Sequence, residues 1–166
     1  MAVENGADEV DIVLNVGKML SGEYDDAANE VEMIRSEMDS DVVLKVIIES
    51  GALKTPELIR KASLLSMAAG ADFVKTSTGK IDVAATPEAA VVMCQAIKDY
   101  YQKSGRMVGF KAAGGVKTPQ DAALYYTIVE QILGEQWLTT DLFRIGASSA
   151  ANNLLSAIVG STVSHF

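Results

Sequence analysis

Hydrophobic and polar positions along the chain follow two periodicities. Short apolar runs rich in β-branched residues, typical of strands buried on both faces, recur five times. The predicted strands run from Glu9 to Leu14, Val42 to Ile48, Phe73 to Thr76, Met107 to Lys111 and Phe143 to Ala147. Between them, apolar residues return at the spacing of amphipathic helices. The pattern therefore predicts five successive β-α units.

The helix starts are marked by a repeated signal. Each of the three prolines follows a threonine, and threonine at the cap with proline at the first helical position is a strong start signal. The three pairs are Thr55-Pro56, Thr86-Pro87 and Thr118-Pro119. A further helix is predicted from Tyr24 to Met38. A last helix is predicted to begin near Ser148 and to end at Gly160.

The units repeat about every 30 to 36 residues, which fits either a (β/α)8 barrel or an open doubly wound sheet. Polar residues lie within several strands, and this favours the barrel, because an open sheet gathers its ligand contacts at one crevice. We therefore predict an α/β fold of the TIM-barrel family. A complete barrel takes about 250 residues. Residues 1–166 are thus expected to be a single partial-barrel domain holding about the last five units, with about three N-terminal units missing.

Composition narrows the functional classes. The chain is 49% hydrophobic and 22% charged, with a net charge of −8 and no basic block, which argues against nucleic-acid binding. No apolar run is long enough to span a bilayer and no leader pattern is present, so we expect no membrane partner and a cytoplasmic location. The single Cys94 and the near-terminal His165 disfavour a disulfide, a catalytic triad or a zinc site. We expect no metal and no cofactor.

Charged residues inside predicted strands are the strongest chemical signal. Lys45, Lys75 and Lys111 each interrupt an apolar run, and a buried ammonium is costly unless it is paired. A lysine attacks a carbonyl only when neutral, and a second ammonium nearby lowers its pKa. Lys75 and Lys111 lie on consecutive strands and suit these two roles. The alternative is simple ion pairing, and Asp11 likewise fits either a salt bridge to Lys45 or proton transfer.

Three glycine-rich or hydroxyl-rich loops follow the last three predicted strands. Such loops can present backbone N–H groups and hydroxyls to an anion, and barrel phosphate sites lie late in the chain. Ordinary turn chemistry is the alternative. The candidate phosphate-binding residues are Gly79, Lys80, Gly114, Gly115, Ser148 and Ser149.

Five motifs, in order along nearly the whole chain, resemble deoxyribose-phosphate aldolase. They are Gly6-Ala7-Asp8-Glu9-Val10-Asp11, Leu44-Lys45-Val46-Ile47-Ile48-Glu49, Phe73-Val74-Lys75-Thr76-Ser77-Thr78-Gly79, Gly109-Phe110-Lys111-Ala112-Ala113-Gly114-Gly115-Val116 and Arg144-Ile145-Gly146-Ala147-Ser148-Ser149. The resemblance implies a (β/α)8 barrel and a metal-free class I aldolase. It also implies the reaction, the interconversion of 2-deoxy-D-ribose 5-phosphate with acetaldehyde and D-glyceraldehyde 3-phosphate.

Carried over by motif, the resemblance assigns roles. Lys75 would form the Schiff base, Lys111 would lower the pKa of Lys75, and Asp11 would work with Lys111 and water in proton transfer. Lys45 would support them, and the six loop residues would hold the substrate phosphate. The chain departs from the family pattern at Ala112, where proline is common, and at Phe166, where some members end in tyrosine.

Two other functions stay open from the sequence. One is an inactive partial barrel that binds a sugar phosphate or self-associates, which would make the protein a homo-oligomer through its unpaired strand edges. The other is a transaldolase-like enzyme, which would share the buried lysine but use a ketose donor.

Overall fold

The computed structural model describes residues 1–146 and 150–164. Five parallel strands form one sheet, in the order β1-β2-β3-β4-β5. The strands are β1 (Glu9–Val13), β2 (Val43–Ile47), β3 (Phe73–Lys75), β4 (Gly109–Ala113) and β5 (Phe143–Gly146). The helices are α1 (Val16–Ser21), α2 (Tyr24–Ser36), α3 (Ser50–Leu53), α4 (Pro56–Ala68), α5 (Pro87–Ser104), α6 (Pro119–Leu133) and α7 (Ala150–Val159), with a 3-10 turn at Glu135–Trp137.

The strand order decides between the two folds that the sequence left open. A doubly wound sheet reverses its strand order at a switch point, whereas here the spatial order of the strands follows the chain order throughout. Successive right-handed crossovers in such a sheet place every connecting helix on the same face. The prediction of a TIM-barrel type of α/β fold is therefore confirmed, and the doubly wound alternative is wrong.

The two faces of the sheet differ in chemistry because side chains alternate along each strand. Leu44, Val46, Val74 and Phe110 are fully buried in the core against the helices. The intervening residues point to the opposite, concave face, and many of them are charged. The concave face thus carries the polar residues that interrupt the apolar runs of the sequence.

The predicted helix starts are confirmed in atomic detail. The side chains of Thr55, Thr86 and Thr118 each accept a hydrogen bond from the backbone N–H three residues later, and each is followed by proline. Thr118 also forms a reciprocal capping box with Asp121. Gly105 ends α5 in the left-handed conformation at φ 72°.

The structure differs from the predicted elements in a few places. β4 begins at Gly109 rather than at Met107, because neighbouring β3 begins only at Phe73, which pairs with Gly109. The short helices α1 and α3 were not predicted, since neither has a threonine-proline start. The predicted start of the last helix lies outside the described residues. Among the described residues, no helix has the length and apolar character needed to cross a membrane.

Candidate active site

The register of the sheet brings the predicted lysines and the aspartate together. Asp11 on β1 is the direct partner of Lys45 on β2, and Lys75 on β3 is the direct partner of Lys111 on β4. All four residues are on the concave face. The expectation that Lys75 and Lys111 lie at the same height on neighbouring strands is therefore met.

The Asp11 carboxylate is the centre of this cluster. Its Oδ2 atom accepts hydrogen bonds from Lys75 Nζ at 2.7 Å and from Lys111 Nζ at 3.0 Å. Its Oδ1 atom lies 3.2 Å from Lys45 Nζ. The salt bridge to Lys45 that the sequence suggested is thus present, but it is one of three. A proton-transfer role for Asp11 stays a prediction.

The cluster perturbs the ionisation of its members. Partial burial opposes ionisation of Asp11, but hydrogen bonds from Lys75 and Lys111 outweigh it and hold the pKa of the carboxyl well below its usual range. Burial lowers the pKa of Lys111, the Asp11 carboxylate opposes that change, and the nearby ammoniums of Lys75 and Lys45 reinforce it. The pKa of Lys111 is therefore lower than that of an ordinary lysine side chain.

A second charged layer below Asp11 was not foreseen. Glu9 on β1 pairs with Lys45 at 2.5 Å and with Arg144 on β5 at 2.9 Å, so side chains join the first and last strands of the sheet. The guanidinium of Arg144 also lies over the ring of Phe73, which occupies the space left by Gly109. A charged residue inside each of the two edge strands was the available signal for this layer.

A cavity of about 510 Å³ opens beside the lysines. Its lining includes both Lys75 and Lys111 and four of the predicted phosphate-binding residues. These four are Gly79, Lys80, Gly114 and Gly115. The structure thus places the two predicted catalytic lysines and the glycine loops on one cavity. The remaining two candidates, Ser148 and Ser149, lie outside the described residues.

Close contact between the two glycine loops requires glycine. Gly79 and Gly114 have φ values of 76° and 83°, which favour glycine. A β-carbon on Gly114 would lie only 2.9 Å from the α-carbon of Gly79 and 2.6 Å from the Ala84 side chain. Thr76 joins the loops further, because its hydroxyl and the backbone of Ala113 exchange hydrogen bonds of 3.0 and 2.9 Å.

The described residues 1–146 and 150–164 contain no group of three or more His, Cys, Asp or Glu side chains placed to hold a metal ion. The charged groups that line the cavity are lysine ammoniums, and the Asp11 carboxylate contacts two of them, Lys75 and Lys111. Such an arrangement can form an imine, move protons and bind an anion.

The sequentially ordered parallel sheet, with a charged concave face and loops at its carboxyl ends, defines an α/β protein of the TIM-barrel type. The model of the DeoC/LacD family aldolases matches residues 1–152, and the chain belongs to that family.

Individual relatives agree with the family assignment. Deoxyribose-phosphate aldolases from Mus musculus and Agrobacterium fabrum are each 44% identical to the chain, over 93% and 96% of its length respectively. The match covers 48% and 60% of those proteins, so the chain spans about half the length of the curated relatives.

Solved structures show the same fold. A putative deoxyribose-phosphate aldolase from Coccidioides immitis is 30% identical, with a TM-score of 0.78, over 95% of this chain and 55% of that one. The tetrameric deoxyribose phosphate aldolase from Aeropyrum pernix is also 30% identical, with a TM-score of 0.71, over 94% of this chain and 57% of that one.

Proposed function

We propose that the chain carries the reacting centre of a class I aldolase that cleaves 2-deoxy-D-ribose 5-phosphate to acetaldehyde and D-glyceraldehyde 3-phosphate. One observation supports this most directly. Lys75 and Lys111 share a single oxygen of Asp11 at 2.7 and 3.0 Å, at the cavity that the glycine loops also line. Membership in an aldolase family agrees with this chemistry.

In the proposed reaction, neutral Lys75 attacks the aldehyde carbon of the sugar, and loss of water gives a protonated imine. A base removes the proton of the C3 hydroxyl, the C2–C3 bond breaks, and its electron pair moves into the imine to give an enamine. D-Glyceraldehyde 3-phosphate leaves. Protonation of the enamine carbon and hydrolysis of the resulting imine then release acetaldehyde and free Lys75.

The other residues support this route. Lys111 acts as the neighbouring cation of Lys75, and Asp11 lies between both amines, where it can pass protons with water. Lys45, which is 3% exposed and pairs with Asp11 and Glu9, orients the carboxylate. Lys80 and the loop glycines face the cavity where the phosphate would bind.

Borohydride trapping tests the proposal. Incubating the chain with acetaldehyde and reducing the imine should add one ethyl group at Lys75, mapped by peptide mass spectrometry. With deoxyribose 5-phosphate, the adduct at Lys75 should be the reduced sugar phosphate or, after cleavage, the same ethyl group. Lys75→Arg keeps the charge and should prevent the modification, whereas Lys98→Arg on α5 should not. If Lys75 is unmodified in a folded chain, the proposal is refuted. Comparing acetaldehyde with a ketose donor separates this activity from the transaldolase-like one.

We also propose that the chain forms homo-oligomers, as the tetrameric Aeropyrum pernix relative does. Sedimentation equilibrium would show a mass above one chain, and a monomer at all concentrations would contradict it. The cytoplasmic location expected from the sequence stays a prediction that cell fractionation can test.

A further inference from the structure

Glu49 is a buried acid with no part in the charge cluster. It lies two residues after the end of β2, its residue surface is 6% exposed, and it does not line the cavity that holds the lysines. The sequence places it after the apolar residues Val46, Ile47 and Ile48, where an unpaired carboxylate would be costly. The hydrogen-bond partners of the carboxylate therefore indicate the role of Glu49.

The Glu49 carboxylate is held by hydrogen bonds from Thr78. The backbone N–H of Thr78 donates to Oε1 and Oε2 at 3.2 and 3.3 Å, and the Thr78 hydroxyl donates to Oε2 at 2.6 Å. Hydrogen bonds to a charged acceptor are stronger than neutral ones. Glu49 thus binds the backbone and side chain of one residue on the next β-α connection.

The bond fixes the loop that follows. Because the Thr78 hydroxyl donates its proton to Glu49, its oxygen is free to accept, and the backbone N–H of Lys80 donates to it at 3.1 Å. Thr78, Gly79 and Lys80 all line the cavity with Lys75. A relay of hydrogen bonds therefore runs from a buried acid outside the cavity to the loop inside it.

Glu49 makes this contact in a strained backbone conformation. Glu49 has φ 53° and ψ 59°, and only one other non-glycine residue in the described part of the chain, Lys54, has a positive φ. A side chain in this conformation is strained, and such strain persists where surrounding contacts hold it. Glycine would serve if the turn alone mattered.

The same connection supports the far end of the loop. A β-carbon on Gly51 would lie 1.9 Å from the carbonyl oxygen of Val83, so the two backbones are in direct contact. The segment Glu49–Gly51 therefore contacts the β3–α5 connection both at Thr78 and at Val83. The loop between these points cannot shift without breaking one of the two contacts.

We propose that Glu49 is a positioning residue for substrate phosphate: it holds Thr78, Gly79 and Lys80 in the conformation that binds the phosphate. This inference rests on the proposed aldolase function. It predicts that Glu49 controls affinity for the phosphate group and has little influence on imine formation at Lys75, because Glu49 has no contact with the lysine cluster.

The test uses inorganic phosphate as the probe, with NMR shifts of the amides of residues 78–80 as the readout. Glu49→Gln should weaken phosphate binding about tenfold, since it replaces a charged acceptor with a neutral one. The rate of borohydride trapping with acetaldehyde, which has no phosphate, should fall by less than about twofold. Hydrogen exchange at the Thr78 amide should become faster. Glu57→Gln, an exposed acid on α4, should change none of these.

Two further variants keep the outcome clear. Thr78→Val removes only the hydroxyl and should also weaken phosphate binding, and it serves if the Glu49 variant does not fold. Glu49→Gly relieves the backbone strain, so it should weaken phosphate binding without lowering Tm. The inference is overturned if the unsubstituted chain, Glu49→Gln and Thr78→Val bind phosphate with equal affinity. If Lys75 is still trapped in that case, the proposed function remains intact. Loss of trapping in the unsubstituted chain refutes the function instead.

Discussion

Asp11→Asn is the most informative single substitution at the lysine cluster. It keeps the shape of the side chain and an acceptor oxygen but removes the negative charge. Among the described residues, Asp11 is the one acid within ion-pair distance of Lys75 and Lys111, whereas Lys45 also pairs with Glu9. The substitution therefore leaves two neighbouring ammoniums without a counter-charge.

The magnitude follows from the burial of these groups. The side chains of Asp11, Lys75 and Lys111 are 27%, 13% and 18% exposed. Breaking a fully buried pair costs about 3 to 5 kcal/mol and breaking an exposed pair at most about 1 kcal/mol. The partly open cluster lies between these limits, so we expect a loss of about 2 to 3 kcal/mol at neutral pH. For a chain of this size that lowers Tm by about 5 to 10 °C.

Urea denaturation at several pH values measures the effect. The pKa of Asp11 in the folded chain is depressed below its ordinary 3.8, so its contribution is complete above that value and is lost as pH falls further. The stability curves of the unsubstituted chain and Asp11→Asn should therefore be separated at pH 7 and converge in acid. Asp26→Asn, which removes an exposed partner of Lys18, should cost less than about 1 kcal/mol at every pH.

Two results would refute the reasoning. A difference at pH 7 no larger than that of Asp26→Asn would mean that solvent screens the cluster. A difference that does not shrink as pH falls from 4 towards the depressed folded-state pKa would mean that Asp11 acts through shape rather than charge, because protonation of the carboxyl in the unfolded chain should reduce its contribution progressively over that range.

Three further predictions concern other parts of the chain. The ¹³Cε signal of Lys111 should titrate with a pKa below 10.5, because burial lowers it. The pKa should be lower still in Asp11→Asn, because the Asp11 carboxylate opposes the effect of burial. A midpoint at or above 10.5 contradicts the burial argument. In urea denaturation, Gly114→Ala should lower the free energy of unfolding by about 2 to 4 kcal/mol and Gly115→Ala by about 1 to 2 kcal/mol. Both residues have positive φ, but only Gly114 lacks space for a β-carbon. Equal losses refute the close contact. Thr118→Ala should cost about 1 kcal/mol in urea by loss of the cap and Thr118→Ser much less; equal costs contradict the hydrogen-bonded cap.

Features that depend on local sequence could be predicted. Thr118 followed by Pro119 marks a helix start because the cap needs only the next three residues. Lys75 and Lys111 could be placed side by side because both interrupt strands that are consecutive in a parallel sheet. The location of Gly79 at the cavity could be predicted because Gly79 lies in the loop after a strand. Their chemical roles stay predictions that the trapping and phosphate experiments test.

Features that depend on curvature or on distant partners could not be predicted. The contact between Glu9 and Arg144 joins strands 135 positions apart and exists only because the sheet is curved. The left-handed backbone of Glu49 is compensated by Thr78 on another connection, so local propensity gives no sign of it. Helix α1 is a different case: its Asn15 cap is local, but the helix lacks the proline that marks the starts of α4, α5 and α6.

The ion pair between Arg144 and Glu9 connects the first and last strands of the curved sheet. Both side chains are about one-third exposed, at 33% and 32%, so dissolved ions reach them. Attraction between exposed charges weakens as salt is added, and at 0.1 M it is largely screened beyond about 10 Å. The attraction between the first and last strands therefore depends partly on the salt concentration of the solvent.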